Sequence, residues 1–240
     1  MLNLSYDLHM HSCLSPCGDN DMTPANMVGM AYIKGLDVIA VTDHNSCKNC
    51  GAALEAVKEY GITVICGMEL TTVEEVHVVC LFPCLEKAMS FDEYVYSKLI
   101  KIKNDPAIFG EQRICDKDDN IIGYVPDLLI NATSISFDEV FKIMREYGGF
   151  AFPAHIDKNA NSLISNLGYI PPDSDFECAE LKNMDKLSEL SGIHSYISTC
   201  KTVTNSDAHY LQDINEPVNF LHCESRNPED ILKALKRKQL

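Results

Sequence analysis

The reading of this chain turns on SYDLHMHSCLSPC, residues 5–17, where His9 and His11 flank one methionine at the end of a short apolar run. Alternate side chains of a strand share a face. With SYDLHM as a strand, His9 and His11 leave its end in the same direction, as two ligands of one cation must. Working outward, Thr23 and Pro24 offer an N-cap and a first helical residue for a helix to Lys34, which Gly35 ends. DVIAVT (37–42) reads as a buried strand, AALEAVKEYG (52–61) as a helix closed by glycine, and ITVIC (62–66) as the next strand. VHVVCLF (76–82) is a further strand able to pair directly with its predecessor.

Ser90 with Glu93 and Ser136 with Glu139 fit capping boxes, placing helices that run to about Asn104 and Tyr147. Residues 105–135 carry Pro106, Gly110, Gly123 and Pro126 with weak periodicity and read as an excursion, so an insertion is expected over about 85–133. GFAFPA (149–154), FECAEL (176–181), KTVTN (201–205) and VNFLHC (218–223) are four more strands, and Asn227 with Pro228 opens a closing helix. No internal repeat or low-complexity linker interrupts the chain, so one domain over 1–240 is expected. Repeated strand and helix units of this length imply an α/β fold on a parallel sheet, open or closed into a barrel.

The composition narrows the function classes. A chain of 240 residues with 46% hydrophobic content buries about 70–75% of its unfolded surface. Its net charge of -15, from 35 acidic against 20 basic residues, opposes binding of long nucleic acid or acidic membranes and favours a small anionic substrate beside bound cations. With no basic leader and no run of about 18 apolar residues, a cytoplasmic protein without a membrane partner is expected. Eleven cysteines, an odd number in a chain without a secretion signal, are expected as free thiols with a few metal ligands rather than as a disulfide framework.

Polar residues of ligand type follow the apolar runs. His9 and His11 end the first, Asp43 and His44 the second, Glu69 follows the third, His155 follows GFAFPA, and Asp207 and His209 follow KTVTN. His77 lies at the start of its strand, leaving only His194 and His222 outside the pattern. Any one of these histidines could be an ordinary polar residue. The set is different, because TDH, GME and SDAH place imidazoles and acids beside strand ends, and parallel strands gather those ends at one rim. Imidazole with carboxylate suits Zn, Mn, Fe or Ni better than Mg or Ca.

DLHMHS (7–12), TDHN (42–45), GMEL (67–70), PAH (153–155) and NSDAH (205–209) together resemble the motifs of the polymerase and histidinol phosphatase family, PHP, in the expected order. The resemblance implies a distorted (β/α)7 barrel holding two or three divalent ions, Zn, Mn or Fe. It implies that His9, His11, Glu69 and Asp207 form the catalytic centre around the first ion, with Glu69 bridging to a second ion that also takes His77 and His155. His44 and His209 would hold a third. Where three-metal members supply another ligand from the loop after H-x-H, usually histidine or aspartate, this chain has Cys17.

Cys17 admits three readings: a thiolate ligand favouring Zn or Fe, a member of a four-thiolate site with Cys13, Cys47 and Cys50, or a free loop thiol. Asp43 is expected to orient an imidazole, and Lys158 and Arg113 to contact phosphate. Ions a few ångströms apart clamp phosphoryl oxygens and lower the pKa of water from 15.7 toward about 7, so water is expected to attack phosphorus without an enzyme nucleophile. The activity implied is hydrolysis of small phosphate esters: phosphomonoesters, nucleotides or short oligonucleotide ends. The alternatives are a histidinol-phosphatase-like enzyme or a metal-binding or redox-sensing module without catalysis.

Overall fold

The computed structural model describes residues 1–237. Its main sheet is built from β1 (Leu2–Asp7), β2 (Val38–Val41), β3 (Thr63–Thr71), β4 (His77–Phe82), β7 (Phe150–Pro153) and β10 (Phe220–Cys223), with β5 (Arg113–Cys115) and β6 (Ile121–Tyr124) forming a separate hairpin. The strand order is β10-β1-β2-β3-β4-β7. β2 and β4 are buried along their whole length, which explains why they read as continuous apolar runs rather than alternating ones. Successive residues of β2 still part company: Ile39 and Val41 face the helices, while Val38 and Ala40 face the inside of the curl with Ile65, Val79 and Phe152.

The parallel sheet expected from strand and helix alternation is found only in part, and the direct pairing expected of 76–82 with its predecessor is present. β1, β2 and β3 are parallel, whereas β10 against β1, β3 against β4 and β4 against β7 are antiparallel. A parallel crossover needs about a dozen residues or more, and the connection 72–76 is too short. The sheet curls, and a parallel pair, β8 (Cys178–Glu180) and β9 (Lys201–Val203), stands across the gap. The Ile156 N–H donates to the Glu180 carbonyl at 2.9 Å on one side, and the His11 N–H to the Ala208 carbonyl at 2.9 Å on the other. The result is an α/β fold around a curled, barrel-like sheet.

Helices α1 (Pro24–Lys34), α2 (Cys50–Ala56), α3 (Leu85–Lys98) and α5 (Phe137–Glu146) pack outside the sheet through residues such as Met27, Ala53, Phe91 and Phe137. α1 ends where Gly35 turns left-handed at φ 79. Thr23 sits at its N-cap position without capping it; the Asp119 carboxylate, from the excursion, takes the Ala25 N–H at 2.9 Å and the Thr23 hydroxyl at 2.6 Å. α3 begins at Leu85 and ends at Lys98, so Ser90 lies in its interior and the Ser90–Glu93 box is not used, nor does the helix reach Asn104. The box at Ser136 is real, with the Ser136 N–H donating to Glu139 at 3.1 Å.

α3 buries Ala88, Phe91 and Val95 in the main core, so the segment set apart from the barrel starts after it. That excursion, residues 99–135, carries α4 (Pro106–Phe109) and the β5–β6 hairpin and has a small apolar centre of its own, Leu14, Leu99, Val125 and Leu129. It is fastened to the loop after β1 by the Arg113 N–H on the Cys13 carbonyl, 3.0 Å, and to the loop after β2 by the Cys115 N–H on Asn49, 3.0 Å. α6 (Leu163–Leu167) and α7 (Leu187–Ile193) lie on the β7 to β9 side in sequence. α8 (Pro228–Ala234), capped by Asn227 through the Glu229 N–H at 3.0 Å, packs Ile231, Leu232 and neighbouring Leu235 against the inner cluster. Among the described residues no helix is long and apolar enough to cross a membrane.

Candidate metal centre

One rim of the curled sheet gathers the ligand-type residues. β1, β2, β3 and β7 deliver theirs from or just beyond their C-terminal ends; β4 runs the other way, so its first residue, His77, reaches the same rim. Glu69, buried in β3 at 1% exposure, is the hub. Its Oε1 lies 3.2 Å from His9 Nε2, 2.9 Å from His77 Nδ1 and 3.1 Å from His155 Nε2. Its Oε2 lies 3.3 Å from His11 Nε2 and 3.2 Å from His44 Nδ1. Asp207 Oδ1 adds contacts of 3.6 Å to His9 and 3.3 Å to His11. His209 stacks on His11 with ring centroids 4.4 Å apart.

The far side of each imidazole explains what these close approaches are for. His9 Nδ1 meets Glu180 at 3.0 Å, and a carboxylate can only accept, so His9 carries its proton there. His11 Nδ1 meets the Ser15 hydroxyl at 3.1 Å; that hydroxyl already donates to Asp43 at 2.7 Å, so it accepts from His11. His209 Nδ1 donates to the Asp207 carbonyl at 2.8 Å. Three imidazoles thus carry a proton on Nδ1, which leaves Nε2 as the atom that takes either a cation or a second proton. His9 Nε2, His11 Nε2, His44 Nδ1 and His155 Nδ1 are buried without a hydrogen-bond partner. Buried polar atoms are rarely orphaned, and three of these, on His9, His11 and His44, stand 3.2–3.3 Å from Glu69, as ligands of a group that accepts lone pairs would.

The electrostatics agree with this donor set. Burial pushes His9 down, but the charges of Glu180, Glu69 and Asp207 reverse this and hold it well above the ordinary histidine value. Burial likewise opposes charge on His11, which Asp207 and Glu69 nevertheless raise to about 9. Glu69 and Asp207 are both lowered despite the opposing effect of burial, because imidazoles face them. His209 is lowered to about 4 by burial and by His11 beside it. Three groups have ligand atoms within 4.8 Å of one another: His9, His11 and Glu69; His44, Glu69 and His77; and His11, Cys17, His44 and His209. Zn, Mn or Fe ions fit these imidazole and carboxylate donors.

Backbone strain marks the same rim. His155 and Asp207 adopt φ 28 and φ 55, conformations that cost about 1–3 kcal/mol in non-glycine residues. The Lys158 N–H on the His155 carbonyl and the Asp207 N–H on the His9 carbonyl, both 2.9 Å, hold them there. Asn45, at φ 50, staples the excursion to the rim: its amide donates to the Leu129 and Asn131 carbonyls at 2.7 and 2.9 Å and accepts the Thr71 N–H at 2.9 Å. Ile130 is thereby set as one wall of a cleft of about 380 Å³, with Lys158, Asn159 and Asn161 also lining it. Lys158 Nζ lies 2.6 Å from Asp207 Oδ2.

Several expected residues stand elsewhere. Arg113 pairs with Glu111 at 2.6 Å and does not line the cleft, because β5 turns its side chain to its own segment. Asp43 touches no imidazole; it takes the N–H and hydroxyl groups of Ser12 and Ser15 and acts on His11 through Ser15. The cysteines do not converge: Cys13 Sγ lies 3.6 Å from Cys115 Sγ, Cys47 and Cys50 bond the Gly67 carbonyl at 3.2 and 3.5 Å, and Cys17 sits alone among them at the rim. No four-thiolate group forms among the described residues. The residue that the motifs missed is Glu180. Its signal was the second of two acids in the run FECAEL, flanked by Ala179 and Leu181, and Asn205 secures it at 3.0 Å while accepting the Leu8 N–H at 2.8 Å.

A stretch of 79 residues, 32% of this chain and 28% of its relative, is 39% identical to a 5'-3' exoribonuclease of Haemophilus influenzae. The lesion-specific endonuclease Q of Pyrococcus furiosus superposes with a TM-score of 0.67 at 18% identity, over 98% of this chain and 56% of that one; a second endonuclease Q structure holds a 27-mer duplex with an abasic lesion at its active site. A Bifidobacterium adolescentis protein described as a candidate metal-dependent phosphoesterase superposes at 0.60 and 18% identity, over 95% and 96% of the two chains. The chain thus spans little more than half of endonuclease Q and a smaller part of the exoribonuclease, and the structural likenesses speak for the fold. Residues 7–163, well over half of the sequence, match the PHP domain family, and the chain belongs to that family.

Proposed function

We propose that the protein hydrolyses the phosphate ester of a small substrate, a phosphomonoester, a nucleotide or a short oligonucleotide end, with water as the nucleophile. The observation that carries this reading is the convergence of bare imidazole nitrogens on Glu69 and Asp207 at the floor of a cleft of about 380 Å³, near the lower end of the range for small-molecule sites. His9, His11, Glu69 and Asp207 would hold one divalent ion, Glu69, His77 and His155 a second, and His44 and His209 a third. Such ions supply Lewis acidity, which acidifies water and neutralises charge on phosphoryl oxygens.

The chain's own residues do the rest. Glu180, Ser15 and the Asp207 carbonyl keep the imidazoles aimed. Lys158, whose pKa rises because Asp207, Glu69 and Glu180 outweigh its burial, keeps its proton and contributes charge toward an incoming phosphate. Ile130 offers an apolar surface to the group beyond the phosphate, and Asn159 and Asn161 offer amides. A second reading, action on a longer nucleic acid, is favoured by the likeness to endonuclease Q and by the exoribonuclease relative, against the expectation from net charge.

The deciding experiment is phosphate release, with Mn, Zn, Fe or Mg added, from nucleoside monophosphates, other phosphomonoesters, and single- and double-stranded oligonucleotides. Release from the small esters that is lost in His9→Ala and Asp207→Ala is the expected result. Turnover confined to duplex substrate would replace the first reading with the second, and hydrolysis at full rate in both variants would remove the assigned centre.

A further inference from the structure

The outermost group at the rim differs in chemistry from the floor of the cleft. His11, Cys17, His44 and His209 offer ligand atoms within 4.8 Å of one another; in a tetrahedral zinc site, with Zn–N about 2.0 Å and Zn–S about 2.3 Å, neighbouring ligands stand roughly 3.3–3.8 Å apart, a span that small side-chain rotations cover. The four are imidazoles and one thiol, and the carboxylate next to them, Glu69, stands 3.2 Å from His44 Nδ1 and 3.3 Å from His11 Nε2 on the side of the floor. His209 is already fixed with its Nδ1 proton on the Asp207 carbonyl, leaving Nε2 as the donor, and His44 is 3% exposed with Nδ1 unpartnered.

The loop carrying the sulfur is built rather than loose. The Ser15 N–H bonds the Ser12 carbonyl at 3.0 Å, the Gly18 N–H bonds the Ser15 carbonyl at 2.9 Å, and Asp43 ties both serines from below. A Cβ on Gly18 would stand 2.3 Å from the Ser12 carbonyl oxygen, and one on Gly110 would stand 2.8 Å from that of Pro16, so the chain is packed against backbone on both flanks of Cys17. Ligands held in advance by their support bind with less loss of freedom. Soft thiolate with imidazole selects Zn, Fe(II), Co(II) or Cd over Mg and Ca.

We propose that Cys17 donates a thiolate to an outer cation site shared with His44 and His209, making this end of the cluster selective for thiophilic divalent ions. The inference rests on the reading of the rim as a metal centre. Binding converts the Cys17 thiol to thiolate and releases its proton to solvent, with no change of oxidation state.

Two readouts other than turnover test it on the full chain. Titration of metal-free protein with Co(II) should produce a sulfur-to-cobalt charge-transfer band in the near ultraviolet that Cys17→Ser lacks, while the variant still binds the remaining Co(II) at the inner residues. Alkylation with iodoacetamide, followed residue by residue by mass spectrometry, uses Cys84, the other exposed thiol, as an internal control. Zinc should slow labelling of Cys17 at least tenfold and leave Cys84 unchanged, whereas Mg should protect neither. Equal Co(II) stoichiometry and identical spectra in wild type and Cys17→Ser, with Cys17 labelled equally fast with and without zinc, would overturn this inference and leave the inner centre standing. Failure of both proteins to bind any Co(II) or Zn would overturn it together with the proposed function.

Discussion

Glu180→Gln isolates what a buried carboxylate does for a neighbouring metal ligand. Glu180 Oε2 accepts from His9 Nδ1 at 3.0 Å and from Asn205 Nδ2 at 3.0 Å, with Oε1 3.3 Å from the same imidazole. Glutamine has the same shape, and its carbonyl placed at the Oε2 position keeps both hydrogen bonds. What it removes is the negative charge, which makes His9 a stronger donor through Nε2. Outer partners of metal-bound histidines are worth about 10–100-fold in metal affinity, or about 1.4–2.7 kcal/mol. Glu180→Gln is expected near the low end, because the tautomer survives, and Glu180→Ala near the high end, because it also frees the ring and leaves the Asn205 amide unpaired. The same charge raises the His9 pKa, so the variant competes less with protons, and its deficit should be larger at pH 9 than at pH 6. Calorimetric titration with Mn or Zn at both pH values measures affinity and released protons together. Wild-type affinity in both variants at pH 9 would refute the positioning role, and an equal deficit at both pH values would refute the electrostatic part.

The pH dependence of the whole centre has a definite sign. His9 and His11 have folded pKa values above the ordinary histidine value, the latter about 9, so their protonated forms stabilise the metal-free protein below about pH 6.5, and this contribution is lost as pH rises through the folded values. Ions need the bare nitrogens, so the rise in melting temperature on adding Mn or Zn should grow from pH 6 to pH 9, as differential scanning fluorimetry with and without chelator would show. Gly67→Ala should destabilise the fold by about 1–3 kcal/mol in denaturant titrations, because its Cβ would lie 2.7 Å from the Cys80 carbonyl oxygen across the β3–β4 ladder and 2.8 Å from Leu81 Cδ2. Asn45→Ala removes the amide that holds Leu129, Asn131 and Thr71 and should cost about 2–4 kcal/mol, with faster hydrogen exchange across residues 128–133. An unchanged exchange pattern there would show that Ile130 is held by something else.

Local chemistry was legible without coordinates. The apolar runs of β2, β3 and β4, the stop at Gly35, the Ser136–Glu139 box and the Asn227 cap all depend on interactions within a few residues, where spacing and side-chain type suffice. The DLHMHS, TDHN, GMEL, PAH and NSDAH stretches likewise carried their resemblance in short words. The false box at Ser90 shows the limit of such patterns, since burial of Ala88, Phe91 and Val95 sets the course of α3 and runs it through Ser90 without a break. Arg113 shows it again, because a basic residue in an excursion has no direction until the segment is folded.

The order of amino acids alone thus supplies the inventory of donors and their attachment to strand ends. The folded arrangement adds that antiparallel β4 brings His77 to the common rim, that Asp43 reaches His11 through Ser15, and that Glu180, 171 residues along the chain from His9, accepts its Nδ1 proton in a hydrogen bond. These facts depend on strand direction and on contacts between remote segments, which burial and hydrogen-bond satisfaction settle over the whole molecule at once rather than residue by residue.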